Sequence, residues 1–125
     1  MRLRFNERKA TQAAARLLKL RGAQMSYMKL IKLLYLADRT ALLRWGRPIT
    51  TDSYVSVERG PVLSRVLDLA TDEEVPGQHS VWAEHITEPE HYSVRLRKDP
   101  GADELSAAED QLEGVALMEN ILGAH

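Results

Sequence analysis

Three kinds of side chain in this sequence could do chemistry: the carboxylates Asp38, Asp52 and Asp68, the hydroxyls Ser53, Ser56 and Ser64, and the imidazoles His79, His85 and His91. Two carboxylates brought together can divide acid and base roles between them, but only if the fold makes them converge. A serine nucleophile needs a base. No histidine is spaced to serve one, and none of the serines stands in a G-x-S-x-G turn. The histidines recur every six residues, unlike the short His pair of a helical metal site. If 81–87 and 91–97 are strands, His85 and His91 point to opposite faces and cannot share an ion. With no cysteine and no glycine-rich phosphate loop, the sequence assigns no catalytic residue, no metal and no cofactor, and it offers no motive for an enzyme.

Asp38 is the residue that demands an explanation. It stands inside KLLYLADR (32–39), within a segment whose start and stop signals, Ser26 and Gly46, predict a helix over 27–45. At about 100° per residue, Lys29, Lys32 and Arg39 share one side, and Ile31, Leu34, Tyr35, Leu42 and Trp45 the other. Asp38 projects into the centre of the apolar group. A buried, unpaired carboxylate costs several kcal/mol, so it must be hydrogen-bonded, ion-paired or protonated. Downstream, Gly60-Pro61 reads as the opening of a third helix over 61–70, with proline at its first position. The free N–H groups of Val62 and Leu63 would then form an anion site and donate to Asp38; Arg47 and Arg59 are the alternative partners. A structural anchor is the expected role.

The elements around this helix follow from the same signals. Asn6 caps a first helix that runs to Arg21 and stops at Gly22, with Ala10, Ala13, Ala14, Leu17 and Leu20 inward and Arg8, Gln12, Arg16 and Lys19 as a basic stripe. A short strand is expected over 53–58. VWAEHIT (81–87) and HYSVRLR (91–97) alternate like a hairpin around Pro89-Glu90, with Val81, Ala83, Thr87, Tyr92, Val94 and Leu96 on one face. Trp82, Glu84, Ile86, Arg95 and Arg97 take the other face, where Trp82 is a partner-binding candidate, as Trp and Arg are enriched at hot spots. The competing reading buries Trp82. The acid-rich stretches TDEEVPGQ (71–78) and KDPGADE (98–104) are loops. The fold class is α+β, mainly α: about four helices forming the core, with a small antiparallel sheet of one short strand plus a hairpin, in a single domain over 1–125.

Charge divides the chain unevenly. Residues 1–48 hold 12 Lys and Arg against the two acids Glu7 and Asp38, whereas the remaining 77 residues hold five basic and 16 acidic side chains. Such asymmetry marks either a face for nucleic acid or an acidic partner, or two halves that neutralise each other on folding. A nucleic-acid-binding regulator would use the first two helices as a helix-turn-helix, the hairpin as a wing, and Arg8, Arg16 and Lys19 on DNA phosphates. Against it, the second helix presents only Lys29, Lys32 and Arg39 among many leucines and looks like the core's central helix. No apolar run approaches a membrane span and the N-terminus lacks a signal peptide, so a cytoplasmic protein with no membrane partner is expected.

KLLYLADR, GRPITTDSY (46–54) and GPVLSRVLD (60–68) occur in an order and spacing that resembles the Panacea domain family, the SocA-like antitoxins and phage-associated proteins, over residues 26–70. LSAAEDQLEGVALMENILG (105–123) resembles that family's helix beginning with Leu-Ser. Departures are Arg59, where an aromatic residue, His or Asn is common, Leu63, where Pro is frequent, and the missing tyrosine before Asp68. Many relatives continue past the position of His125 into a segment with His and Trp, so the resemblance implies a short or trimmed member. It also implies a mainly helical domain and a module that binds and neutralises a cognate toxin protein, with no established catalytic residues. Contact residues are expected in Arg47, Asp52, Tyr54, Arg59, Gly60 and Pro61, with Trp82. The toxin, its mode of neutralisation and any homo-oligomer stay open.

Overall fold

A computed structural model describes residues 5–57, 60–71 and 80–112. Arg59, His79, most of the TDEEVPGQ loop and the helix expected beyond residue 112 lie outside the described residues. The element order is α1 (Glu7–Leu20), β1 (Gln24–Ser26), α2 (Tyr27–Trp45), β2 (Tyr54–Val57), β3 (Gly60–Leu63), α3 (Ser64–Thr71), α4 (Val81–His85) and β4 (Ser93–Arg95). Residues 107–112 begin a further helix.

Both long helices begin where their caps dictate. The Asn6 side chain accepts from the Lys9 N–H, and the Ser26 hydroxyl from the Lys29 N–H. Gly46 closes α2 in the left-handed region, at φ 77°, and returns its N–H to the Leu42 carbonyl. The helix after residue 106 opens with a reciprocal cap: Glu109 N–H donates to the Ser106 hydroxyl, and Ser106 N–H to the Glu109 carboxylate.

One apolar cluster joins α1, α2, β3, α3, α4 and β4. It includes Ala10, Ala14, Leu17, Leu30, Ile31, Leu34, Leu63, Val66, Trp82 and Val94. The small residues of α1 let it lie close against its neighbours. Leu20, expected inside, is 40% exposed, and so are the outer turns of α2, with Leu42 at 42% and Trp45 at 44%. These positions run past the end of the core that their periodicity suggested.

The β structure departs most from expectation. Two separate two-stranded antiparallel sheets replace the single sheet: β1 with β4, and β2 with β3. VWAEH is helix α4, not a strand. Ser80 caps it by accepting from the Ala83 N–H, and Glu7 of α1 accepts both the Ser80 hydroxyl and the Trp82 N–H. These caps and the burial of Trp82 against the core override the alternation seen in the sequence. Glu84 consequently meets Lys98 rather than Arg95. Only fragments of the hairpin remain, in the Ile86 to Leu96 bridge and a turn at Glu90–Ser93 whose central residues His91 and Tyr92 both have positive φ, at 52° and 66°. That is the type I′ geometry usually given to Asn-Gly. The strand 93–95 pairs instead with Gln24–Ser26, Met25 opposite Val94.

GPVL is likewise strand β3 rather than the first turn of a helix. Val55 pairs with Val62 and Ser56 with Pro61 in the β2–β3 ribbon. Proline is tolerated there because a two-stranded ribbon consists only of edges.

Candidate partner-binding site

Asp38 is fully buried, as its helical angle requires, and its acceptors are filled from the segment that follows α2. Oδ1 accepts the N–H groups of Ile49, at 3.2 Å, and Thr50, at 3.1 Å, while Oδ2 accepts the Thr50 hydroxyl. The partners are therefore not the amides of Val62 and Leu63, nor Arg47. Proline at 48 and the αL turn at Gly46 fold the chain back at once, so the nearest free amides belong to the loop rather than to the later helix. Burial pushes the Asp38 carboxyl up to about 6 against the lowering pull of the hydrogen bonds from Thr50 and Ile49, with the charge of Asp52 adding to the rise.

The anion site at the third helix exists, but Asp52 fills it. Its two oxygens accept the N–H groups of Arg65 and Val66, each at 3.0 Å, and Oδ1 also accepts the Ser53 N–H at 2.7 Å. Leu63, the residue before α3, has no side-chain acceptor and cannot cap the helix itself. Asp52 supplies the cap from 13 residues upstream, on the positive end of the helix dipole.

Thr50 connects the two carboxylates. Buried completely, it donates to Asp38, accepts the Asp52 N–H on its hydroxyl at 3.3 Å, and accepts the Asn6 N–H on its carbonyl at 3.1 Å. The stretch ITTD thus ties α2, the start of α1 and the start of α3 to one point.

Outside this tie lies the surface of the candidate residues. The Tyr54 ring stands edge-on to Tyr35 with centroids 5.1 Å apart, and is 41% exposed. Burial, then the charge of Asp38, raises the Tyr54 phenol above its usual range. Lys32 Nζ lies 5.6 Å above the Tyr35 ring, and a Cβ at Gly60, where φ is 112°, would stand 3.0 Å from that same nitrogen. Lys32, Tyr35, Tyr54 and Gly60 therefore meet on one face. Arg47 is exposed, and Pro61 half-buried.

The fold brings three linked motifs into one place: Lys32, Tyr35 and Asp38 from α2, Thr50, Asp52 and Tyr54 from the following loop and β2, and Gly60 from β3. A family model described as "Antitoxin SocA-like, Panacea domain" matches residues 30–122. The chain belongs to this family. No curated protein and no solved structure shows significant similarity to it.

Within this Panacea domain, Trp82 is corrected from a surface candidate to a core residue, 2% exposed. Its indole N–H has no hydrogen-bond acceptor among the described residues. The basic stripe of α1 is corrected as well. Gln12 is buried, its amide donating to Asp103 and Pro100 and accepting from Glu104. Every α1 cation meets an acid of the 99–110 segment: Arg8 with Asp103, Lys9 with Glu109, Arg16 with Asp110 and Lys19 with Asp99. Sequence spacing carried no signal for these pairs, which depend on the C-terminal segment crossing α1. A polar cleft of about 230 Å³ lies elsewhere, between Gln24, Glu88, His91 and Arg95. His85 bonds the Val81 carbonyl through Nδ1, and among the described residues no three His, Asp or Glu side chains cluster as metal ligands. No helix among them is long and apolar enough to cross a membrane.

Proposed function

We propose that this Panacea domain is an antitoxin-type binding module that neutralises a cognate toxin by direct protein–protein contact, as one half of a bacterial or prophage toxin–antitoxin pair. The observation that carries this reading is the Asp38–Thr50–Asp52 tie. Both carboxylates accept backbone N–H groups, so they shape residues 47–57 and 60–62 instead of offering them a base. A segment already fixed in one shape loses little entropy on binding, which favours a contact surface. Arg47, Tyr54, Gly60 and Pro61 are its contact residues, with Asp52 as their support. Arg59 belongs to the same segment by sequence.

DNA binding is the weaker reading because Arg8, Arg16 and Lys19 already have acidic partners. Freeing them for phosphates would first break those pairs.

Co-expression tests the proposal. The product of the adjacent open reading frame is expected to arrest growth when expressed alone, and this protein to restore growth and to co-purify with it. A harmless neighbour, or arrest that this protein does not relieve, would count against the antitoxin reading.

A further inference from the structure

The two long helices treat their cations differently. On α1 all four, Arg8, Lys9, Arg16 and Lys19, are ion-paired. On α2 the four cations Lys29, Lys32, Arg39 and Arg44 have no acidic partner among the described residues, and Asp38, the helix's single acid, is buried and committed to Ile49 and Thr50. Lys32, Leu36, Arg39 and Leu43 follow at i, i+4, i+7 and i+11, which places them in one line along the helix. Arg39 is exposed and Leu43 is 76% exposed. Leu42, Tyr35 and Tyr54 border the line on one side, with Lys32 held between the Tyr35 ring and Gly60.

A stripe that alternates cation and leucine at helical spacing matches an amphipathic helix carrying acids and apolar residues at the same spacing. We propose that the α2 stripe Lys32–Leu36–Arg39–Leu43, half-buried at Lys32 and Leu36 and exposed at Arg39 and Leu43, is the docking face for an acidic amphipathic helix of the toxin. This deepens the antitoxin reading and rests on it. Opposite charge across the contact would set register and speed encounter, while the leucines and Tyr54 would supply the desolvated centre. A second copy of the chain is a poor occupant, since a two-fold α2–α2 contact would set cations against cations. Phosphate backbones gain nothing from exposed leucines, which argues against nucleic acid.

The test uses the full-length protein and the product of the adjacent open reading frame, with affinity measured by calorimetry and neutralisation by growth. Arg39→Glu with Leu43→Glu is expected to weaken binding roughly 100-fold and abolish rescue, and Leu43→Ala alone to weaken it about 10-fold. Arg21→Glu, an exposed charge reversal off this face, should stay within about twofold. Unchanged thermal midpoints show that each variant folds, and Leu43→Ala guards against a double variant that does not. Undiminished binding by the double variant, beside a normal wild-type complex, overturns the docking face and leaves the antitoxin reading standing. A wild-type protein that neither binds nor rescues overturns both. Salt-sensitive binding to duplex DNA, or a concentration-dependent dimer, that is lost in the double variant would overturn the toxin-helix occupant.

Discussion

Asp38 holds Thr50 twice, by the backbone N–H at 3.1 Å and by the side-chain hydroxyl, in a site closed to solvent. Two contacts to one residue fix the orientation of a peptide plane as well as its position. Residues 49 and 50 are oriented through that contact, and Asp52 and the β2–β3 pairing hold the stretch that follows.

Removing the carboxylate should therefore cost stability before it costs anything else. Asp38→Ala leaves two buried N–H groups and a hydroxyl without acceptors and opens a cavity, so a loss of about 3 kcal/mol or more is expected in urea unfolding. Asp38→Asn keeps one oxygen for the amides and should lose only about 1–2 kcal/mol. Equal losses in the two variants would mean that the amide contacts are not what Asp38 provides.

The pH dependence has a defined sign. Burial raises the folded-state value of Asp38 to about 6 from an ordinary 3.8. Between those values the folded protein keeps a proton that the unfolded chain has released, so stability from this group is fully present below about pH 4 and is lost as pH rises through about 6. The whole step amounts to about 3 kcal/mol. Asp99 and Asp103 behave oppositely: hydrogen bonds from Lys19 and from Gln12, respectively, lower them, so their contribution disappears as pH falls below the ordinary carboxylate range. Subtracting the Asp38→Asn profile from the wild type isolates the first step; a flat difference between pH 4 and 7 would refute it.

Asp52 is expected to matter through α3. Asp52→Ala removes a cap from Arg65 and Val66 and an anion from the helix dipole, together worth about 1–2 kcal/mol. Amide hydrogen exchange should report the change locally, with faster exchange at Arg65 and Val66 and little change in α1. Uniform acceleration across the chain would point to a global role instead.

Trp82 separates packing from hydrogen bonding. Its indole N–H has no acceptor among the described residues, so Trp82→Phe loses volume but no hydrogen bond there, and about 1–1.5 kcal/mol is expected. Trp82→Ala should cost about 3–5 kcal/mol by opening the core between α1 and α4. Under the proposed antitoxin reading, binding of the partner by a folded Trp82→Phe variant should match the wild type. A selective loss of binding would return this residue to the interface.

By itself the sequence determined what local chemistry controls. Asn6, Ser26 and Gly46 bound the two long helices because a cap is satisfied within one turn of chain, and the helical angle placed Asp38 in the core because periodicity is a local property. The linked motifs around it also carried the family. Only the tertiary structure decided which donors Asp38 would meet, that Asp52 rather than a residue of GPVL would cap α3, that VWAEH would coil into a helix over a buried Trp82, and that the α1 cations would be neutralised while those of α2 would not. Each of these joins residues 11 or more positions apart or depends on what covers a face. Acceptors, burial and charge pairing are settled by proximity in space, which one-dimensional spacing does not encode.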